Sequence, residues 1–235
     1  LVPASYWSPV MGHSYLACGA GARPCELWEL QATAAITASS NVLMLPALIV
    51  AYQQGLRWEL AFGCFGVMTS MLYHIAEPLD IRIYGMNEGQ WHRLDNVGAI
   101  MCFANLFIYL MDNRNIAVNE FLRLGMLFWC LMQQEKGPWE LINTILPILG
   151  ALAMPIVKFL FLSKASPEYH WPNFRTGMVL LAISFGFFAK GLNDRSDYLR
   201  MYHSMWHVSI AAASYWLWRI VLTHERKLHP TERSL

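Results

Sequence analysis

Apolar residues in this chain fall into seven long runs, near residues 30–52, 58–79, 95–112, 117–134, 139–163, 174–193 and 199–223. A helix needs about 20 predominantly apolar residues to cross the hydrocarbon core of a bilayer. Helix is the expected form because lipid offers the backbone no hydrogen-bond partners, and a helix satisfies its own. Each run is therefore predicted to be a transmembrane helix. The connections are short, and the 53–57 link makes the first two spans antiparallel neighbours. The predicted fold is all-α, a polytopic seven-transmembrane helix bundle over residues 30–223. An exoplasmic arm, residues 1–29, precedes it, and a cytoplasmic tail, residues 224–235, follows.

Interruptions within the runs refine this picture. Thr33, Thr37, Ser39, Ser40 and Asn41 in the first span are small polar residues suited to close helix packing. Pro46 predicts a kink there, and Pro147 and Pro155 predict bends in the fifth span. The longest connection, residues 80–94, mixes glycine, charge and aromatics and reads as a structured loop over an exoplasmic vestibule.

Composition excludes an ordinary soluble domain. The chain is 56% hydrophobic and only 14% charged, where soluble domains carry roughly 25% charged residues. Net charge is +1, and no dense basic run points to nucleic acid as a partner. A slight excess of Lys and Arg on the tail side favours an outside amino terminus, in the plasma membrane or the secretory pathway. Cys18 and Cys25 in the arm are candidates for an exoplasmic disulfide. Cys64, Cys102 and Cys130, inside spans, read as small buried residues.

Ionisable side chains are costly at membrane depth and usually serve a function there. His74 lies near the exoplasmic end of the second span, with Ser70 one turn deeper. Asp95 opens the third span, and His203 and His207 occupy the first turns of the seventh. The alternating direction of the spans puts all five at one leaflet depth, although they are scattered over more than a hundred residues of sequence. His203 and His207, four apart, share a helix face. Three imidazoles suit zinc, and catalytic zinc sites often combine three protein ligands with one open position. Zinc so held would lower the pKa of a bound water from 15.7 toward about 7. Asp95 is placed to orient or deprotonate that water, and Ser70 to donate a hydrogen bond to a carbonyl oxygen gaining negative charge.

Other polar residues keep plainer readings. His13, His92, His170, His224 and His229 are expected in solvated loops and tails. Glu77 is a candidate supporting group for His74. Lys158 is expected to snorkel, and Lys190 to snorkel or to pair with Asp194 or Asp197.

The set Ser70-Met-Leu-Tyr-His74, Asp95 and His203-Ser-Met-Trp-His207 resembles the Ser-x-x-x-His, Asp and His-x-x-x-His motifs of the CREST superfamily of seven-transmembrane proteins. The stretch from Asp197-Tyr198 to His207 is most similar to the transmembrane protein 8 / myomaker family. The resemblance spans roughly residues 25–223. It implies zinc on His74, His203 and His207, with Asp95 supporting the metal-bound water and Ser70 polarising the substrate. The implied activity is hydrolysis of an acyl ester or amide bond in a membrane lipid. The same resemblance leaves two alternatives: a non-enzymatic membrane-remodelling or cell-fusion protein with a structural zinc, and a receptor-like member. The 80–94 connection departs from the Cys- and Gly-rich one of animal members, and a basic tail stands where myomaker has a cysteine-rich, lipidated one.

Overall fold

The computed structural model describes residues 25–162, 167–193 and 196–222. Most of the predicted arm, including Cys18, and the predicted tail lie outside them. Cys25 is disulfide-bonded.

The described residues form seven helices, joined by turns and two isolated β-bridges. They are α1 (Leu27–Gln53), α2 (Arg57–Leu79), α3 (Glu88–Leu110), α4 (Ile116–Lys136), α5 (Leu141–Leu162), α6 (Trp171–Gly191) and α7 (Met201–Leu217). Each matches one predicted run. Three of them, α1, α5 and α6, are long and apolar enough to cross a membrane, which points to membrane integration. The other four carry most of the ionisable groups that face the interior. The apolar windows of α5 and α6 are only 17% buried, against 50% for α1. Outward-facing Phe121, Phe128, Leu160 and Phe161 complete a surface far more apolar than that of a water-exposed protein.

Pro46 acts as predicted. It has no N–H to return to the carbonyl one turn back, and α1 tightens into a 3₁₀ turn at Asn41–Met44 just before it. Pro155 precedes a π-helical turn at Lys158–Leu162. Lys158 there donates to the Met111 carbonyl, so its head is tied to the bundle.

Two boundaries differ from the hydrophobic pattern. The third helix starts at Glu88, so the predicted 80–94 loop shrinks to 80–87 and Asp95 lies two turns inside α3. The cause is a capping box. Asn87 Oδ1 accepts from Gln90 N and Gln90 Oε1 accepts from Asn87 N, both at 3.0 Å, which starts the helix within polar sequence. At the other end, α7 stops at Leu217, not at residue 223. Ile220 and Val221 are fully buried, but they pair with the segment before α6: His170 N donates to Ile220 O at 2.8 Å and Leu222 N to Glu168 O at 3.1 Å.

Close helix approaches set the geometry near the polar residues. Gly66 on α2 faces Gly98 on α3 so tightly that a Cβ on Gly98 would lie 2.6 Å from the Gly66 Cα. At the carboxyl end of α6, a Cβ on Gly191 would lie 3.0 Å from His203 N. Away from these contacts Arg123, half-buried, makes a 2.5 Å ion pair with the buried Glu59 and a 3.1 Å hydrogen bond to Asn105, joining α2, α3 and α4. Cys64 faces outward, Cys102 is half-buried, and Cys130 is buried as expected.

Candidate metal centre

His74 comes from α2 and is 1% exposed. His203 and His207 come from adjacent turns of α7. The three rings form a nearly equilateral cluster, with centroids 4.8 Å (His74–His203), 5.0 Å (His74–His207) and 4.8 Å (His203–His207) apart. Their ligand nitrogens all lie within 4.8 Å of one another, a set able to hold a metal ion. His74 Nε2 and His203 Nε2 are 3.1 Å apart. Two imidazole nitrogens bound tetrahedrally at roughly 2.0–2.1 Å from zinc stand about 3.3 Å apart. The donor atoms, their spacing and their burial fit such an ion.

The start of α7 holds two of these ligands in place. Its first helical residue is Met201, and the two preceding residues, Leu199 and Arg200, both have left-handed backbone, with φ of 52° and 54°. Such conformations are costly for residues other than glycine and need support from around them. Asp197 supplies it. Its buried carboxylate accepts from Tyr202 N at 2.7 Å and His203 N at 3.0 Å, satisfying amides that a helix start leaves open and placing negative charge at the positive end of the helix dipole. Burial raises the carboxyl pKa of Asp197, and those amide hydrogen bonds oppose the rise.

A family model described as protein of unknown function (DUF3522) matches residues 29–208. The chain belongs to this family. No curated protein matches it. The DUF3522 match runs from the start of α1 to one residue beyond His207, so it contains all five predicted site residues. Its description assigns no activity.

Within the DUF3522 region, the Ser70 hydroxyl lies against the Asp95 carboxyl. The Gly66–Gly98 crossing is what permits this, since Ser70 lies one turn after Gly66 and Asp95 one turn before Gly98. Asp95 stands outside the ligand set of the three histidines, whereas Ser70 shares the His74 face of α2. All five predicted residues thus occupy the same end of the bundle.

Several plainer readings change. His92 is not a loop residue; with α3 beginning at Glu88, its ring packs between Tyr73, centroid 4.7 Å away, and Trp139, at 4.0 Å. His170 is the N-cap of α6, and its Nδ1 accepts from Asn173 N at 3.2 Å. Glu77 accepts from Tyr73 Oη at 2.6 Å and faces Arg200 Nη2 at 3.9 Å, so its carboxylate ties α2 to the α7 turn. Lys190 Nζ sits over the Tyr202 ring, 5.2 Å from its centroid. His13, His224, His229 and Asp194 lie outside the described residues.

Two supporting residues escaped the sequence reading. The sequence pattern offers Asp197 as a partner for Lys190 and as the start of the stretch that carries the resemblance, but not as a helix cap, although an Asp just before an apolar helical run is an N-cap signal. Ser40 was grouped with small packing residues, yet its Oγ lies 2.8 Å from His207 Nδ1, a contact across 167 positions with no local signature.

Proposed function

We propose that this chain is a seven-span membrane protein carrying an intramembrane zinc centre that hydrolyses an acyl ester or amide bond of a membrane lipid. The observation that carries this reading is the convergence of three imidazoles from two helices, His74 and His207 buried and His203 half-buried, with the Ser70–Asp95 pair at the same end of the bundle. The motif resemblance to the CREST superfamily adds to it. Each helix of 21 to 27 residues spans roughly 30–40 Å at 1.5 Å per residue, and α7 with its lead-in turn completes the seventh crossing. The site then lies toward the exoplasmic leaflet, with the amino terminus outside.

His74, His203 and His207 would hold the zinc, which would supply Lewis-acid charge and lower the pKa of a water at the open position. The protein's own contribution is positional. Asp95 takes the proton as water adds to the acyl carbon and returns it to the departing alcohol or amine. At rest the single hydrogen of Ser70 goes to the Asp95 carboxylate; once Asp95 holds the proton its O–H donates to Ser70 Oγ, and the Ser70 hydrogen is free to turn to the acyl oxygen as negative charge develops there.

One observation favours a second reading: the rings join α2 to α7, a pair that is not extensively packed, so an ion there would also staple the bundle. Metal analysis of purified protein is the first test, and less than one zinc per chain refutes the zinc centre. Lipidomic comparison of wild type with Asp95→Asn is the second. For a hydrolase, the substrate lipid accumulates while zinc stays bound. A purely structural ion predicts unchanged lipids in Asp95→Asn and misfolding in His207→Ala.

A further inference from the structure

The polar stripe of α1 ends in a contact that the hydrolytic scheme does not use. Pro46 drives the tightening of α1 at Asn41–Met44, and the carbonyls just upstream lose their regular helical partners. Side chains take over: Asn41 Nδ2 donates to Thr37 O at 3.1 Å, and Ser40 Oγ donates to the same carbonyl at 2.7 Å. Ser40, buried to 8% exposure, also lies 2.8 Å from His207 Nδ1.

Counting protons settles the direction of that second contact. A serine hydroxyl has one hydrogen and two lone pairs. A carbonyl oxygen can only accept, so the hydrogen of Ser40 goes to Thr37 O. Toward His207, Ser40 Oγ is then an acceptor, beside the Thr37 carbonyl that also faces this ring, and Nδ1 carries the hydrogen. A neutral imidazole protonated at Nδ1 has its lone pair on Nε2, the nitrogen left for an ion shared with His74 and His203.

We propose that Ser40 is a positioning residue of the metal centre, fixing the tautomer and ring orientation of His207 from a third helix. The proposal rests on the zinc reading given above. It makes the kink of α1 part of the site: the 3₁₀ turn sets the Thr37 carbonyl, the carbonyl takes the Ser40 hydrogen, and Ser40 directs Nε2. Outer hydrogen-bond partners of metal-bound histidine typically contribute 10–100-fold in metal affinity.

The test uses the full-length protein in detergent. Zinc affinity is measured by chelator competition, cobalt(II) replaces zinc as a spectroscopic probe, and ¹⁵N NMR of labelled histidine reports the His207 tautomer without metal. Ser40→Ala keeps the Asn41 hydrogen bond to Thr37 O, so the metal-free fold should melt as wild type does. The expected result is zinc affinity about 10–100-fold weaker, an altered cobalt spectrum and mixed His207 tautomers, with Ser40→Thr restoring all three. Wild-type affinity and spectrum in Ser40→Ala, while His207→Ala loses metal, overturns the role of Ser40 and leaves the zinc centre standing. A wild-type His207 protonated at Nε2 in the metal-free protein overturns it equally. Wild-type protein that binds no zinc removes the centre and this role together.

Discussion

The α2–α3 crossing makes an asymmetric prediction about two glycines that face each other. At Gly98, an added Cβ would lie 2.6 Å from Gly66 Cα and 3.2 Å from Gly66 N. Carbon–carbon contact is optimal near 3.5–4.0 Å, so Gly98→Ala forces the helices apart by about 1 Å. Both obstructing atoms are backbone and cannot rotate away. Overpacking of this kind costs typically 1–3 kcal/mol. We take the upper end, and a helix-propensity gain of about 1 kcal/mol from replacing glycine leaves a net loss of about 2 kcal/mol. For a chain of this size, that lowers the melting temperature by about 4–8 °C. At Gly66, an added Cβ would have its nearest neighbours at 3.6 Å, an ordinary contact. Gly66→Ala should therefore be neutral or raise the melting temperature by about 2–4 °C. Gly125→Ala, with nothing within 4 Å of its Cβ, is the control. Thermal unfolding in detergent reads all three. Because the crossing sets the Ser70–Asp95 contact, Gly98→Ala should also impair the proposed lipid turnover while leaving metal binding by the histidines of α2 and α7 intact. Equal stability of Gly98→Ala and Gly66→Ala would refute the reasoning.

Chelation of the proposed zinc should lower the melting temperature in wild type and leave His74→Ala, His203→Ala and His207→Ala unaffected; at free zinc 100 times its Kd, the linked stabilisation is about 2.7 kcal/mol. Glu59→Gln leaves the half-buried Arg123 guanidinium without its carboxylate and should cost up to about 3 kcal/mol, the lower end of what breaking a fully buried pair costs. The double variant Glu59→Leu/Arg123→Met should recover most of that loss in equilibrium unfolding. Asn87→Ala removes the capping box of α3 and should cost about 1 kcal/mol, with faster amide exchange confined to the first turn of that helix. Unchanged exchange there would mean the cap contributes nothing.

The helix inventory was legible in the sequence because each helix carries a long apolar run, most strongly α1, α5 and α6, and such runs are set by composition rather than by what a helix packs against. Pro46 was legible for a similar reason, since a missing N–H acts locally. His74, His203 and His207 stood out because ionisable groups are rare at membrane depth, and Ser70 and Asp95 drew attention by sharing that depth. Local polar signals were harder to weigh against hydropathy. The Asn87–Gln90 capping box extends α3 by seven residues beyond its apolar run, and with it His92 moves from an expected loop into a stack between Tyr73 and Trp139.

Only the tertiary structure decided how these residues meet. The Gly66–Gly98 crossing brings Ser70 to Asp95, Asp197 holds His203 through its backbone, and Ser40 reaches His207 from another helix. Each of these contacts depends on the angle and separation of two helices, set by packing among residues far apart in the chain. Composition and periodicity record which residues lie at a given depth, but not which faces turn toward one another.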